Sequence, residues 1–281
     1  MRLFIRVLIG FVLAGGSVWS AAQADSPNTI EIHRLTIESN SLPERDRRQI
    51  VRQFEGSSYE GASQAIAEEF GQRVRMALRD RGYFEAGVDD PEMSFTAADH
   101  GRRIADVRIK VKEGAQYRLG KITFVNAKLF PADQLRGAFD LQDGDLFNAT
   151  KFGRGLENMT NLYATEGYAN FTAIPQPIKD DSRHVIDETV DVNEGSPYDF
   201  GRLILEGPEP HAGAGKALLD SWTSLQGKRY NPAILQQWLA ANRSNWEDGS
   251  HTSDPITFRT DGESKVVNIK LSFPEGSTLM R

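Results

Sequence analysis

The amino-acid sequence predicts an α+β fold built from three tandem β-α-α-β-β repeats, with no transmembrane β-barrel. The first observation behind this prediction is a Glu-Gly pair that recurs every 81 residues, at 113–114, 194–195 and 275–276. The second is that each interval opens and closes with strand-like alternation and holds helix-like apolar stripes in between. Internal repeats of this length indicate copies of one small structural unit, so the 81-residue spacing predicts three such units in tandem.

Each repeat opens with a strand that carries one extra residue. A regular strand alternates its side chains between two faces, so apolar residues two positions apart share a face. Here the apolar positions step by two, then three, then two, which predicts a β-bulge at the longer step. Gly120 and Gly201 stand there in the second and third repeats, and His33 stands there in the first. The apolar positions are Ile30, Ile32, Leu35 and Ile37, then Tyr117, Leu119, Ile122 and Phe124, then Tyr198, Phe200, Leu203 and Leu205.

Two helices are predicted after each opening strand. In the second repeat the first helix begins near Pro131, with Leu135 and Phe139 on its apolar face. The second helix of each repeat has an apolar stripe along one side. Gly82 and Gly167 are expected to end two of these helices, because glycine suits the left-handed cap conformation. The stripes are Ile66, Phe70, Val74 and Ala77, then Phe152, Leu156, Met159 and Tyr163, then Leu235, Leu239, Asn242 and Trp246.

Two strands are predicted to close each repeat, and the last strand alternates most clearly. Its apolar residues indicate one face buried against the helices and one face in solvent. The second repeat departs from this pattern because Glu188 falls on the buried side, and we expect this glutamate to reach solvent at a strand end. The apolar positions are Ala105, Val107, Ile109 and Val111, then Ile186, Val190 and Val192, then Val267, Ile269, Leu271 and Phe273.

The penultimate strand contains proline in every repeat. Pro91 occupies it in the first repeat, Pro175 and Pro177 in the second, and Pro255 in the third. Proline has no N–H to donate and is excluded from the centre of a sheet. The penultimate strand is therefore predicted to lie at a sheet edge, where another chain can add a strand.

The first residues predict a signal peptide at 1–24. Arg2 and Arg6 precede or interrupt a short apolar run, and Ala22 and Ala24 provide small residues for cleavage after Ala24. The alternative is an uncleaved membrane anchor, but the run contains glycines and is shorter than the roughly 20 apolar residues that span a membrane. The predicted domains are then residues 25–113, 114–194 and 195–276, followed by a tail at 277–281.

The boundary motifs are best preserved in the second repeat. A Glu-Gly pair precedes Tyr117 and Gly120, a Gly-Asp turn precedes Phe147, and Gly167-Tyr168 follows the second helix. This pattern resembles the POTRA domain, the periplasmic repeat of outer-membrane assembly and translocation proteins such as BamA, TamA and the two-partner-secretion transporters. The third repeat departs from it at the Gly-Asp turn, and the first lacks the entry motif. The resemblance implies three tandem POTRA-like units after the predicted signal peptide.

The resemblance also implies a location and a role. It implies a periplasmic chain, associated with the outer membrane, that acts in protein assembly or translocation. Family members usually continue from the last unit into a transmembrane β-barrel, whereas this sequence stops five residues beyond Gly276. We therefore expect no barrel in this chain. The expected partners are unfolded or nascent outer-membrane β-proteins, or an outer-membrane β-barrel protein.

Composition and motifs give no indication of catalysis or of a cofactor. The chain has no cysteine, so it offers neither a thiolate metal site nor a cysteine nucleophile. Its five histidines lack the spacing of metal ligands, so we expect no metal, no cofactor and no small-molecule substrate. A net charge of −6 also argues against nucleic acid as a partner, since phosphates attract basic surfaces. We predict that the protein is not an enzyme.

The predicted binding surface is the backbone of the penultimate strands. Strand addition at a sheet edge, or β-augmentation, relies on main-chain hydrogen bonds and has little sequence preference, which suits a receptor for many clients. We expect such edges at Val88–Phe95 in the first repeat and Ile256–Arg259 in the third. In the second repeat the client-binding edge is predicted at Phe171, Thr172, Ala173, Ile174, Gln176 and Ile178.

Two other functions remain open from the sequence. An exported hydrolase with an unfamiliar site would need polar residues to converge in one pocket. A structural role in the envelope, as in division proteins that carry one such unit behind a membrane anchor, would need an anchor that survives export.

Overall fold

The computed structural model describes residues 29–60, 63–97, 103–246 and 256–273. The predicted signal peptide, His100, His251, Pro255, the Glu-Gly pair at 275–276 and the tail lie outside this part of the chain. Within it, three β-α-α-β-β repeats follow one another, as the sequence predicts.

The first repeat consists of β1 (Thr29–Glu38), α1 (Glu44–Phe54), β2 (Ser58–Glu60), α2 (Ser63–Arg79), β3 (Gly87–Val88), β4 (Glu92–Ala97) and β5 (Arg103–Lys112). β1 and β5 run parallel at the centre of its sheet. The short β2 extends the sheet beyond β1, whereas β3 and β4 pair antiparallel with the other side of β5. The predicted penultimate strand is thus two short strands, separated by the segment that contains Pro91.

The second repeat consists of β6 (Arg118–Val125), α3 (Ala132–Arg136), α4 (Ala149–Thr165), β7 (Thr172–Asp180) and β8 (Val185–Asn193). The third consists of β9 (Asp199–Glu206), α5 (Ala214–Trp222), α6 (Pro232–Ala241), a 3-10 turn (Arg243–Asn245), β10 (Ile256–Asp261) and β11 (Val266–Ser272). Their sheets have the strand orders β6-β8-β7 and β9-β11-β10, with the first pair parallel and the second antiparallel.

Three clusters of buried side chains form the cores, one in each repeat. Phe70, Tyr163 and Trp222 are among the largest members, and each is at most 2% exposed. Burying one such ring stabilises the fold by about 2–3 kcal/mol, so each repeat has its own apolar driving force. Phe84, which follows α2 of the first repeat, packs against the second core and joins the two units.

The same backbone hydrogen bond links each repeat to the next. The carbonyl of Gly82 accepts the N–H of Tyr117, and the carbonyl of Gly167 accepts the N–H of Tyr198, both at 2.8 Å. Both glycines have φ close to +90°, the left-handed region that glycine enters without steric cost. The prediction that these glycines end the helices is confirmed. Tyr117 and Tyr198, which bind the glycine carbonyls, begin the next repeats.

The predicted bulges are confirmed in all three opening strands. The pairing register shifts between Ile32 and Arg34 on β1 and between Leu119 and Ile122 on β6. On β9 the corresponding shift lies opposite the step from Val267 to Ile269. An extra residue at each site lets the apolar residues on both sides of it remain on the buried face.

A polar side chain contacts the bulge in each repeat, and the sequence analysis did not identify it. Asp106, Asp187 and Asn268 lie 81 residues apart. The side-chain oxygen of Asp187 accepts the N–H of Lys121 at 2.7 Å, and that of Asn268 accepts the N–H of Arg202 at 2.8 Å. In the first repeat, Asp106 instead contacts the imidazole of His33 at 2.9 Å. The bonds to Asp187 and Asn268 satisfy backbone N–H groups that the bulge removes from the ladder.

Two predicted helices end earlier than their apolar stripes. α3 ends at Arg136 because Gly137 weakens the helix, and Phe139 is buried from the turn that follows. α6 ends at Ala241 and is followed by the 3-10 turn, so Trp246 packs on the core from beyond the helix.

The expectation that Glu188 reaches solvent at a strand end is wrong. This residue lies in the middle of β8 and is 2% exposed, and its Oε2 atom has no hydrogen-bond partner among the described residues. Burial disfavours the charged carboxylate and raises the pKa of Glu188 to about 7. The matching residues of the other repeats, Val107 and Ile269, are apolar.

In the described ranges, we find no helix that is both long enough and apolar enough to cross a membrane.

Candidate functional site: the edge strands

The proline-bearing strands lie at sheet edges, as the sequence predicts. β7 is the outer strand of the second sheet, β10 that of the third, and β3 and β4 flank β5 in the first. Pro175 and Pro177 lie within β7, whereas Pro91 lies between β3 and β4. The prediction of a proline within an edge strand is therefore confirmed in the second repeat. In the first repeat Pro91 instead separates two short edge strands, and in the third β10 occupies the same place.

The opposite edge of each sheet is partly covered. In the first repeat β2 pairs with β1. In the other two repeats a single bridge serves the same purpose, between Arg118 and Leu146 and between Asp199 and Arg229. Among the described strands, the longer stretch of backbone without a neighbouring strand therefore lies on the side of β4, β7 and β10.

The prolines fix which residues of β7 face outward. β7 pairs with β8 without a break from Thr172 to Asp180. An antiparallel strand directs the N–H and C=O groups of alternate residues to the same side. Since proline cannot donate, Pro175 and Pro177 must lie at the positions that face away from β8. Ala173 and Lys179 share this outward side, because they are spaced by two from the prolines.

Two hydrogen bonds fix the same alternation in the other repeats. The carbonyl of Lys110 on β5 accepts the N–H of Asp89, so Lys110 faces the β3 and β4 side. The N–H of Phe273, just after β11, donates to the carbonyl of Glu206 on β9, so even-numbered residues of β11 face β10. With the observed registers, the outward residues include Met93 and Phe95 on β4 and Phe258 and Thr260 on β10.

The side chains predicted in the second edge are mostly accessible. Ile174 and Ile178 are each 60% exposed, Thr172 and Gln176 are exposed, and Ala173 is half-buried. These residues belong to one strand, which the sequence reading identified to within two residues at its far end.

Phe171 is a correction to the predicted set. It precedes β7 and is 6% exposed, and its ring stacks on Tyr163 with centroids 4.1 Å apart. The side chain of Phe171 is therefore part of the second core and cannot contact a client.

The far end of β7 is tied to the first repeat. The ammonium of Lys179 lies 2.6 Å from Glu85 and 3.0 Å from Asp181, and Tyr117 donates its hydroxyl to Asp181 at 2.6 Å. The hydrogen bond to Glu85 raises the pKa of Lys179 above its ordinary range. Lys179 thus remains charged, and its side chain is already engaged between two repeats.

The glutamate of the boundary motif has a structural role. Glu194 accepts the N–H groups of Lys128 and Leu129 at 2.7 and 2.8 Å and the hydroxyl of Tyr163 at 2.9 Å. It thereby fixes the loop after β6 against α4. The same residue in the first repeat, Glu113, accepts the hydroxyl groups of two serines in the loop after β1.

A groove of about 490 Å³ runs between α2 and the edge of the first sheet. Glu68, Glu69, Asp89, Asp90 and Arg75 are among its lining residues, which include no histidine or serine. This is not the convergence of a nucleophile and a base that a hydrolase would need. In the part of the chain that the structure describes, no three His, Cys, Asp or Glu residues come together as a metal site.

These features define a modular scaffold, in which each small repeat has its own core and an edge strand whose outer side has no neighbouring strand among the described residues. The chain belongs to the POTRA family: the family model described as a surface antigen variable number repeat matches residues 30–114 and 117–195. The third repeat has the same order of opening strand, two helices and two closing strands.

Two curated relatives and one solved structure are similar to this chain. A protein of Treponema pallidum (strain Nichols), described as an outer membrane protein assembly factor, is 24% identical over 48% of this chain. The outer membrane protein assembly factor BamA of Neisseria meningitidis serogroup B is 25% identical over 62% of this chain. The chain spans 16% and 23% of the lengths of these two relatives, so it corresponds to a fraction of each.

The crystal structure of the third to fifth POTRA domains of Haemophilus influenzae BamA has a TM-score of 0.66 to this chain, with 19% sequence identity. The match covers 88% of this chain and 97% of that one. This likeness establishes the fold across all three repeats.

Proposed function

We propose that this chain is a periplasmic protein-binding scaffold that assists the assembly of outer-membrane proteins by pairing their extended strands with its own edges. The observation that carries the proposal is the backbone of β4, β7 and β10, whose outward groups have no neighbouring strand among the described elements. Unpaired edges are templates for strand addition. The names of the two relatives support the choice of outer-membrane proteins as clients.

Backbone pairing suits a receptor that must accept many sequences. Each main-chain hydrogen bond contributes about 1 kcal/mol net, so a few of them give weak and reversible binding. Such binding would hold an unfolded client without trapping it. Unfolded or nascent outer-membrane β-proteins, or the exposed edge of a β-barrel partner, offer extended backbone of this kind.

The second edge remains part of the proposal through the exposed side chains of Thr172, Ile174, Gln176 and Ile178 and through the outward backbone of Ala173. The two exposed isoleucines lie on the sheet face that is turned away from the helices, where an apolar client side chain could contact them. The proposed scaffold performs no chemistry, so its action needs neither a cofactor nor a small-molecule substrate.

Hydrogen exchange of the full chain tests this function. A urea-denatured outer-membrane β-protein, diluted into native buffer with the chain, is the probe. The expected result is slower amide exchange in one or more of the edge strands, while exchange in the solvent-facing turns of α2 and α4 is unchanged. Protection confined to the helices, or no protection by a client that binds, would exclude strand pairing as the mode of binding.

A further inference from the structure

The three edges differ chemically, because proline occupies the outward positions of only one of them. Resting on the proposed function, we infer that an extended client segment adds to β4 and β10, and that Pro175 and Pro177 close β7 to it. The client class is an unfolded protein segment in extended conformation, recognised through its backbone.

An added strand needs both backbone groups at alternate residues of the edge. Each outward residue donates its N–H to the new strand and accepts an N–H from it. In proline a ring carbon replaces the hydrogen, so the ring projects toward the carbonyl that would have accepted it. The new strand therefore loses the bond and also cannot approach to the usual spacing of about 4.8 Å between strands.

On β7 the two prolines are consecutive outward residues. Full backbone pairing is left only at the outward residues that flank the prolines, Ala173 before them and Lys179 after them. The Lys179 side chain is held by Glu85 and Asp181, which ties that end of the strand to the first repeat. No continuous stretch of β7 can therefore hold a client strand.

On β10 the equivalent position of Pro177 is Phe258. Pro177 lies opposite Glu188 on β8, and Phe258 lies opposite Ile269 on β11, the residue 81 positions later. Phe258 and Thr260 keep their N–H groups and point them away from β11. The ring of Phe258 is 52% exposed, so it adds an apolar contact beside the backbone.

β4 is open for the same reason. Its outward residues Met93 and Phe95 both have an N–H, and Pro91 lies before the strand begins. The ring of Phe95 is 41% exposed and stacks against the guanidinium of Arg103 at 4.7 Å. An aromatic ring therefore stands beside the outward backbone at both open edges.

Paramagnetic broadening in NMR spectra of the full chain tests this assignment. The probe is a short peptide of alternating threonine and valine that has a nitroxide on one added cysteine. Because the chain has no cysteine of its own, the label stays on the peptide. We expect amide signals of β4 and β10 to lose at least threefold more intensity than those of β7.

A second variant tests the role of the prolines. In Pro175→Val/Pro177→Phe, the outward N–H groups of β7 are restored, and its amide signals should be broadened as strongly as those of β10. Unchanged chemical shifts in α4 would demonstrate that the fold is intact. Failure of this variant to gain broadening would overturn the closing role of the prolines.

The outcomes separate the inference from the function on which it rests. Equal broadening of β7 and β10 in the unsubstituted chain would overturn the inference and leave strand addition in place. Broadening only at the helices, or none at all, would overturn both.

Discussion

Strands β7 and β10 take the same place in successive repeats, yet their outer sides differ. Both pair antiparallel with the last strand of their repeat, in the same register relative to the hairpin turn. The cross-strand pair Pro177 and Glu188 in the second repeat corresponds to Phe258 and Ile269 in the third. One fold therefore carries a closed edge in one copy and an open edge in the next. Under the proposed function, single residues at alternate positions determine whether an edge accepts a client strand, and they can vary while the fold is kept.

The largest expected effect concerns the inner strands of the two compared pairs, where Glu188 on β8 corresponds to Ile269 on β11. Its pKa is raised by burial from 4.5 to about 7. Replacing Glu188 with isoleucine, the residue of the third repeat, should raise the free energy of unfolding near pH 8 by about 3 kcal/mol, since one pKa unit corresponds to about 1.4 kcal/mol. Hydrogen exchange of the β8 amides measures this locally.

The pH dependence provides the control for this prediction. Well below pH 4.5, Glu188 is protonated in both the folded and the unfolded chain, so it contributes no pH dependence to the free energy of unfolding. Between pH 4.5 and about 7 only the unfolded chain releases its proton, so the stability of the second repeat falls as the pH rises. Glu188→Gln should remove this slope, and a slope that persists would contradict the assignment.

The next largest effect is expected at the edge strands, where Pro177 on β7 corresponds to Phe258 on β10. Phe258→Pro places a ring at an outward position of β10 and should weaken peptide binding there about tenfold, equivalent to about 1.4 kcal/mol. The cause is the loss of one main-chain bond together with the blocked approach. Titration of the amide signals of β10 with the peptide gives the affinity.

Phe258→Ala is the matched control for that substitution. It removes the exposed ring but keeps the N–H, so the affinity should fall by less than about threefold if backbone pairing dominates. An equal loss in both variants would mean that the ring, and not the backbone, holds the client.

The bulges of the two repeats should behave alike, in contrast to their edges. Asp187→Ala and Asn268→Ala each leave a bulge N–H without its acceptor and should cost about 1–2 kcal/mol. Amide exchange of Lys121 and Arg202 reports the two losses separately. A large difference between them would show that the repeats diverge in more than the edge.

The sequence could predict the repeats, the bulges and the edge position, because each leaves a periodic signal in residue type. The sequence also shows that Pro175 and Pro177 are two residues apart, so that their backbone groups face the same side of the strand. Whether that side faces β8 or faces away from it depends on the uninterrupted pairing of β7 with β8, which the sequence of one strand does not reveal. The burial of Glu188 was missed for a related reason: its face was predicted, but its place at the centre of the sheet depends on how β6 and β7 flank it.

The smallest expected effect is at Lys179, which corresponds to Thr260 in the third repeat. Lys179→Thr removes the ion pair with Glu85 and should only slightly speed amide exchange at the end of β7, because exposed ion pairs stabilise little. High salt applied to the unsubstituted chain should have the same small effect. A large change would mean that this contact holds the first two repeats together.

Cross-strand nuclear Overhauser effects between the bound peptide and the full chain test the central claim most directly. Strand addition predicts contacts between backbone protons of the peptide and those of Phe258 and Thr260, and none to Pro175 or Pro177. Contacts from the peptide to helix side chains alone, without any backbone contact to β10 or β4, would contradict it.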